Sequence, residues 1–260
     1  MASQDISMRE LLEVGSHFGH QSRRWNPKMK PYIYQTRDQV HVIDLAQTAQ
    51  GLKEACDYVR DLVAAGGKVL FVGTKKQAKD IIKVAASDAG MPYITERWVG
   101  GMLTNWDTIQ KNIQRMLKWQ KQIATGELDH YTKKEQSLIT KELNRLTSIY
   151  EGLVGLDTVP DAVFIVDVRK EKIAVKESFR RKMSIIGVCD TNSDPSLVDI
   201  VIPANDDAHK SVEYIVTKIA EAAKSGSMKS KDPDMVDKKM DVDEVKEKKP
   251  RKKKVEDTEK

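Results

Sequence analysis

Four short segments of the chain are apolar almost throughout, and segments with helical spacing lie between them. The four segments are KVLFVG (68–73), AVFIVDV (162–168), SIIGVCD (184–190) and IVIP (200–203). Short, nearly continuous apolar runs are typical of strands that are buried on both faces of a parallel sheet. VHVID (40–44) and MPYIT (91–95) are two further candidate strands. Because strands alternate with helices, the pattern predicts an α/β fold with a doubly wound, flavodoxin- or Rossmann-like parallel sheet.

Residues 105–154 do not fit this alternation. Two stretches there place apolar residues at steps of three and four, and a short polar break separates them. Thr132 and Glu135 form a capping-box pattern at the start of the second stretch, and Thr104 or Asn105 can cap the first. The pattern predicts an antiparallel α-helical hairpin that is inserted into the α/β domain.

The outer face of the first predicted hairpin helix is basic. It carries Lys111, Arg115 and Lys118, and no acidic residue follows Asp107 as far as residue 124. A solvated surface is the common explanation of charges on a helix. The near absence of acidic residues here favours an anionic neighbour instead.

The composition changes abruptly at Ser225. Residues 225–260 contain no aromatic residue and hold 12 basic beside 10 acidic residues, so this segment cannot bury a core. We expect a disordered, lysine-rich tail. The predicted organisation is an N-terminal helix and basic loop (1–39), an α/β domain (40–104 and 155–224), the hairpin (105–154) and the tail (225–260).

Nothing in the sequence predicts export or membrane insertion. The opening residues MASQDISMRE are polar and acidic where a signal peptide would be apolar. No apolar run approaches the roughly 18 residues of a membrane span. Cys56 and Cys189 lie in apolar segments and are interpreted as reduced, packed thiols. We therefore expect a cytoplasmic protein, whose net charge of +5 permits an anionic partner.

One turn resembles a phosphate site and keeps an enzyme open as an alternative. FVGTKKQ (71–77) passes from a strand to a helix, and a lysine at a helix start can bind a phosphate. However, the motifs G-x-G-x-x-G and G-x-x-x-x-G-K-[ST] are absent. The alternative is a cytosolic Rossmann-like enzyme that binds a phosphate-bearing small molecule and uses Asp167 or Asp190 as a base.

Two histidines near the N-terminus raise the question of a metal ion. His17 and His20 alone are fewer than the three or four protein ligands that a zinc site requires. Asp190, Asp194 or Asp206 would complete the set if the fold brought them close. We take His20, Asp190 and Asp194 as candidate ligands of a divalent metal ion, with structural or RNA-facing histidines as the alternative. The sequence requires no other cofactor.

Two loops combine cations with aromatic rings and predict an RNA-binding surface. Arginine and lysine neutralise phosphates, and flat rings stack on unpaired bases. The first loop is HQSRRWNPKMKPYIY (20–34) and the second is ERWVGGMLTN (96–105). The candidate RNA-binding residues are Arg23, Arg24, Trp25, Lys28 and Lys30 in the first loop, Arg97, Trp98, Thr104 and Asn105 in the second, Lys75 and Lys76 after a strand, and Lys111, Arg115 and Lys118 on the hairpin.

Several segments together resemble one protein family. VGSHFGHQSRRWNPKMKPYIY, LFVGTKKQA, RWVGGMLTNW, VPDAVFIVD, DTNSDP and VIPANDDA occur in this order and closely resemble the bacterial type of small ribosomal subunit protein S-two. Many motifs in one order are more specific than any single motif. The chain departs from the family pattern in VPDA, where Leu-Pro is more usual, and in its long lysine-rich tail.

The resemblance implies a structural component of the small ribosomal subunit and not an enzyme. It implies a flavodoxin-like domain with a helical hairpin that binds small-subunit ribosomal RNA between the head and body of the subunit. Neighbouring ribosomal proteins, including S-one, whose docking it supports, are the implied protein partners. We accordingly expect a ribosome-bound, cytoplasmic protein of bacterial type that neither contacts membranes nor forms homo-oligomers.

Overall fold

The computed structural model describes residues 6–229, apart from the side chains of residues 129 and 229. Its strands are β1 (Phe18–Gln21), β2 (Ile33–Arg37), β3 (Val40–Ile43), β4 (Val69–Val72), β5 (Tyr93–Ile94), β6 (Ala162–Val166), β7 (Ser184–Cys189) and β8 (Ile200–Pro203). Its helices are α1 (Met8–Glu13), α2 (Leu45–Ala64), α3 (Lys76–Asp88), α4 (Trp106–Ala124), α5 (Lys133–Tyr150), α6 (Lys172–Arg180) and α7 (His209–Lys229).

The centre of the fold is a five-stranded sheet in which every pairing is parallel. Its strand order is β5-β4-β6-β7-β8. Numbered along the chain, this is the order 2-1-3-4-5 of flavodoxin-like folds. The four apolar runs form β4, β6, β7 and β8, which confirms the predicted doubly wound α/β class.

Helices cover both faces of this sheet. Side chains of a strand alternate between faces, so Phe71 points to one side of β4 and Leu70 to the other. The first side packs against α2, α3 and α7, and the second packs against α6, the loop after β5 and the base of the α4–α5 hairpin. Both faces are therefore buried, which explains why the strand sequences lack a polar alternation.

The candidate strand 40–44 was wrongly assigned to the parallel sheet. It forms β3, the middle strand of a separate antiparallel sheet with the order β1-β3-β2. A tight turn joins β2 to β3 through Asp38 and Gln39, whose φ angles are 49° and 62°. Positive φ at both central residues is the geometry of the turns that connect antiparallel strands. The region that the sequence indicated as a loop thus contributes two strands to a small antiparallel sheet and forms two 3-10 helices between them.

The inserted hairpin consists of α4 and α5. Ile113, Met116, Leu143 and Leu146 are buried between the two helices or at their base. The Thr132–Glu135 capping box is present at the start of α5. The predicted side-chain cap of α4 is wrong: Asn105 occupies the N-cap position but makes no cap hydrogen bond.

The chain remains helical beyond the predicted start of the tail. Helix α7 continues through residues 225–229 because Ala222, Ala223 and Gly226 are buried against α2. A Cβ at Gly226 would lie 2.5 Å from the carbonyl oxygen of Arg60, so only glycine fits there. Residues 230–260, the rest of the predicted tail, lie outside the described residues.

Among the helices in residues 6–229, none is long and apolar enough to cross a membrane. Cys56 and Cys189 are unpaired and buried, as expected.

Candidate nucleic-acid interface

The antiparallel sheet is fixed to the carboxyl ends of β7 and β8. Thr191 accepts a hydrogen bond at its hydroxyl from the His20 amide at 2.8 Å and another at its carbonyl from the Asn26 amide, also at 2.8 Å. The Asn205 amide donates to the carbonyl of Ser16 at 3.0 Å. The basic loop therefore lies at the edge of the sheet where flavodoxin-like folds place their functional residues.

The first loop directs its cations outward. Arg23 and Arg24 belong to a 3-10 helix over Ser22–Arg24, and Lys28 and Lys30 belong to another over Pro27–Tyr32. All four side chains are exposed. The wholly buried Met29 anchors the second 3-10 helix, so the loop presents charge on an ordered backbone.

Two residues of this loop are already engaged. Lys28 forms an ion pair with Asp194 at 2.8 Å, and both side chains are about half exposed. Such a surface pair contributes little, on the order of 0–1 kcal/mol, so Lys28 can exchange Asp194 for a phosphate. Trp25 is half-buried, with its ring 5.2 Å from the His41 ring.

The second loop is organised by one buried carboxylate. Glu177, on α6, accepts hydrogen bonds at Oε1 from the Trp98 indole (3.2 Å) and the Gly101 amide (2.8 Å). At Oε2 it accepts from the Leu103 amide (3.1 Å) and from the amide and hydroxyl of Thr104 (3.4 and 3.3 Å). Burial alone would raise the pKa of Glu177, but these hydrogen bonds outweigh burial and lower it.

The candidate RNA-binding residues of the second loop fall into a buried and an exposed group. Trp98 is only 6% exposed, so its ring is part of the core and not a stacking platform for bases. Gly101 has a φ of +91°, which glycine adopts without strain and which turns its amide toward Glu177. Arg97, Thr104 and Asn105 remain exposed. Of these, Arg97 alone adds a charge to the surface.

Lys75 does not belong to the exposed surface. Its ammonium group lies 2.7 Å from Asp206, 2.6 Å from Asp207 and 3.2 Å from Asp167, and its side chain is 16% exposed. The structure gives Lys75, a predicted RNA contact, an internal role as the counter-ion that three carboxylates share. Lys76, the first residue of α3, is exposed.

The same geometry explains why the Gly73–Lys76 turn is a poor phosphate site. The amide and hydroxyl of Thr74 both donate to Glu171, at 3.2 and 2.5 Å. A carboxylate thus occupies both Thr74 donors, and the aspartates hold the Lys75 ammonium. Both groups are engaged within the fold, which disfavours phosphate binding at this helix start.

His20 lies beside two buried aspartates. Its Nδ1 is 3.0 Å from Asp190, and one ligand atom each of His20, Asp190 and Asp206 lie within 4.8 Å of one another. The Oδ2 atom of Asp206 is buried without a hydrogen-bond partner in residues 6–229. Asp194, predicted as a ligand, faces Lys28 instead, so Asp206 replaces it in the candidate set.

Electrostatics at this cluster are dominated by burial and by repulsion between carboxylates. Burial, followed by the charges of Asp167 and Asp190, raises the pKa of Asp206 to about 7. The hydrogen bond that His20 donates to the Asp190 carboxylate raises the pKa of His20, against the effect of its burial. A cavity of about 330 Å³ adjoins the cluster, and Arg23 and Arg24 line it. Two of the candidate metal ligands, His20 and Asp190, therefore share one cavity with the basic loop.

The hairpin adds a row of cations. Lys111, Arg115 and Lys118 are exposed on α4 at steps of four and three residues, which places them on one helix face. The Arg115 guanidinium lies 4.3 Å from the centre of the Trp119 ring. That contact is of cation–π type and restricts the Arg115 side chain while leaving its charge at the surface.

Comparison with known families identifies the chain. A family model described as ribosomal protein S2 matches residues 11–226. The chain belongs to the ribosomal protein S2 family. This is a family of structural ribosomal proteins of the small subunit that associate with ribosomal RNA and other ribosomal proteins. The prediction that the chain is not an enzyme is confirmed, and the alternative of a Rossmann-like enzyme is dropped.

The structure of this S2-family member also shows basic residues that sequence reasoning missed. Segment 169–182 contains seven of them, on and around α6. Glu171 and Glu177 are the two acidic residues of the same segment, so seven basic residues minus two acidic residues leave it a net charge of +5. Both glutamates are buried, so the structure adds that only the cations of this segment reach the surface.

Proposed function

We propose that this protein binds small-subunit ribosomal RNA through contacts to the sugar-phosphate backbone, between the head and body of a small subunit of bacterial type. The observation that carries the proposal is the set of exposed, unpaired cations on the N-terminal loop. Arg23, Arg24 and Lys30 are exposed there and make no ion pair within residues 6–229. Hydrogen bonds to Thr191 fix the backbone that presents them. An ordered loop with unneutralised cations loses little entropy when it binds phosphates.

Backbone contacts have a measurable signature. Each neutralised phosphate releases counterions, so the logarithm of affinity falls with the logarithm of salt concentration by about 0.7–0.9 per contact. We expect the change Arg23→Ala, Arg24→Ala, Lys30→Ala to weaken binding roughly tenfold or more and to reduce this slope by about 2. The measurement is fluorescence anisotropy with transcribed small-subunit RNA over a salt series.

A matched control is available on α2 and α7, which cover the face of the sheet opposite α6. Lys53, Lys210 and Lys224 are exposed on α2 and α7, and their replacement by alanine removes the same charge. This control variant should retain wild-type affinity and slope. If the loop variant bound RNA as tightly and with the same slope as the control, the loop would not be the interface.

The docking of ribosomal protein S-one and the bacterial type of the subunit rest on the motifs that resemble the bacterial S-two proteins. Small subunits that lack this chain should then fail to retain S-one, and adding the purified chain back should restore S-one binding. Equal retention of S-one with and without the chain would refute this part of the proposal.

We propose a divalent-cation site at His20, Asp190 and Asp206 as a second function. The observation that favours it is the buried, unpartnered Oδ2 of Asp206. Three aspartates (Asp167, Asp206 and Asp207) share Lys75, and Asp190 lies close to Asp206, so a cation would reduce an excess of negative charge. One imidazole and two carboxylates form a donor set that zinc accepts with a water as fourth ligand.

The test is a titration of chelator-treated protein with Zn²⁺, followed by its melting temperature. A ligand that binds only the folded state stabilises it by about 2.7 kcal/mol at a hundred times its dissociation constant. The wild-type chain should gain stability, whereas Asp206→Asn, which keeps a similar shape, should gain little. An equal gain in both proteins would show that zinc binds elsewhere, and no gain in either would refute the site.

A further inference from the structure

The surface of α6 and its flanking residues carries charge of one sign only. Segment 169–182 contains two acidic residues, Glu171 and Glu177, which are 4% and 6% exposed. Its seven basic residues are all exposed: Arg169, Lys170, Lys172, Lys176, Arg180, Arg181 and Lys182. The acidic side chains are therefore absent from the solvent-facing surface of this segment.

Both glutamates and two of the seven cations form hydrogen bonds with other parts of the fold. Glu171 binds Thr74, and Glu177 binds the loop after β5. Lys170 donates to the carbonyl of Thr74 at 2.9 Å, and Arg181 donates to the carbonyl of Leu103 at 2.8 Å. The other five cations have no side-chain partner in the described part of the chain: Arg169, Lys172, Lys176, Arg180 and Lys182.

Three of these cations form a row that is inclined to the helix axis. Lys172, Lys176 and Arg180 follow one another at steps of four residues and so share one face of α6, about 6 Å apart along its axis. Phe179 lies on the same face and is 58% exposed. An exposed aromatic ring beside a row of cations is a combination that suits unpaired nucleotides.

A cleft of about 330 Å³ lies beside this row. Its polar lining consists of Arg169, Lys172 and Lys176 from the α6 segment and of Asn26, Asn192 and Asp194 from two loops, and Val168, Val175 and Leu197 complete it. Asparagine amides donate and accept hydrogen bonds, as the edges of unpaired bases do. The cleft therefore combines three cations that can bind the backbone with two asparagines that can bind a base, and the carboxylate in its lining, Asp194, is paired with Lys28.

The opposite face of the sheet has a different charge pattern. Helices α2, α3 and α7 together contain nine lysine and arginine residues and seven acidic residues. Mixed charges of this kind are typical of a solvated surface. The single-sign surface is thus confined to the side of the sheet that also carries the second loop and the hairpin.

We infer that α6 forms a second RNA-binding surface, in which Lys172, Lys176 and Arg180 bind phosphates of one strand and the adjacent cleft receives an unpaired nucleotide of that strand. The inference rests on the proposed RNA-binding function and adds a site to it. An acidic protein segment would satisfy the row of cations but would not use Phe179 or the polar cleft, so RNA fits the surface better.

The test compares Lys172→Ala, Lys176→Ala, Arg180→Ala with the wild-type chain and with the Lys53, Lys210 and Lys224 control variant. Anisotropy with transcribed small-subunit RNA should show roughly tenfold weaker binding by the α6 variant and a salt slope reduced by about 2. The control variant removes equal charge and should bind as the wild type does. If the alanine variant lost its helix by circular dichroism, replacement of the same three residues by glutamine would keep the side-chain stems and repeat the test.

The role of the cleft is tested separately, by comparing the binding of single-stranded and of duplex RNA. Asn192→Ala should weaken binding of single-stranded RNA several-fold and leave binding of a fully paired RNA duplex unchanged, because a duplex offers no unpaired base. An equal effect on both RNAs, or on neither, would overturn the role of the cleft.

The outcomes separate this inference from the function on which it rests. If the wild-type chain bound RNA and the N-terminal loop variant impaired binding while the α6 variant matched the control, the α6 inference would be wrong and the proposed function would stand. If the wild-type chain failed to bind the RNA even at low salt, the proposed function itself would fail. If the α6 variant bound RNA normally but lost a ribosomal protein from the assembled particle, the surface would be a protein interface.

Discussion

Replacing Glu177 with glutamine is expected to lower the free energy of unfolding by about 2–4 kcal/mol, because hydrogen bonds to a buried charged group are worth more than neutral ones. The carboxylate accepts from Trp98, Gly101, Leu103 and Thr104. Glutamine keeps one oxygen as an acceptor, but its side-chain NH2 is a donor and would face the N–H donors of the loop. Some of those donors would then lose their hydrogen-bond acceptor. Because Glu177 joins α6 to the second loop, the change should also loosen the exposed Arg97 segment.

The Glu177 effect should depend on pH in a defined direction. Its pKa is lower in the folded than in the unfolded chain, so its stabilisation is present above the ordinary glutamate pKa of about 4.3 and is lost as the pH falls through the folded pKa. Urea unfolding followed by tryptophan fluorescence should show a large difference between Glu177→Gln and wild type near neutral pH and a smaller one in acid. Glu54 is exposed on α2, and Glu54→Gln is the control. Equal stability of the two variants near neutral pH would contradict the role given to Glu177.

Replacing Lys75 with methionine is expected to have a still larger effect. Removing one partner of a buried charge network typically costs about 3–5 kcal/mol, because the remaining charges stay uncompensated. Lys75 holds Asp167, Asp206 and Asp207 within 3.2 Å, and methionine preserves much of its length without its charge. The chain should therefore melt at a markedly lower temperature.

The Lys75 measurement needs a control and a defined buffer. Calorimetry in the presence of a chelator excludes a metal ion that could replace the lost charge. The neighbouring Lys76 is exposed and has no ion pair in the described residues, so Lys76→Met should change stability by about 0.5 kcal/mol or less. If Lys75→Met and Lys76→Met melted together, the aspartates would not depend on Lys75.

The central sheet and the hairpin could be predicted because their signals are local. Strands β4, β6, β7 and β8 are continuous apolar runs. The start of α5 is indicated by the capping box Thr132–Glu135, which is only four residues long. Strand β2 could not be predicted in this way. Only Ile33 of its residues is even partly buried, so it shows no alternation, and its pairing with β3 depends on backbone hydrogen bonds and the Asp38–Gln39 turn.

The exposed cations of the first loop could also be predicted, whereas the internal roles of Lys75 and Trp98 could not. Lys75 meets Asp206, which lies 131 residues away, and Trp98 meets Glu177, which lies 79 residues away. A basic or aromatic residue in a loop looks the same in sequence whether or not such a distant carboxylate reaches it. The basic character of residues 169–182 is readable in the sequence as seven basic beside two acidic residues, but the sequence does not show that both glutamates turn inward and leave only cations at the surface.

The most direct test of the central claim is sedimentation of a cell extract on sucrose gradients over a salt series, with the chain and ribosomal protein S-one followed by antibodies. The chain should migrate with the small ribosomal subunit at low and moderate salt and dissociate progressively as salt rises, since phosphate contacts weaken with salt. A chain that remained among the free proteins even at low salt would contradict the proposal that it is held on the small subunit by its ribosomal RNA.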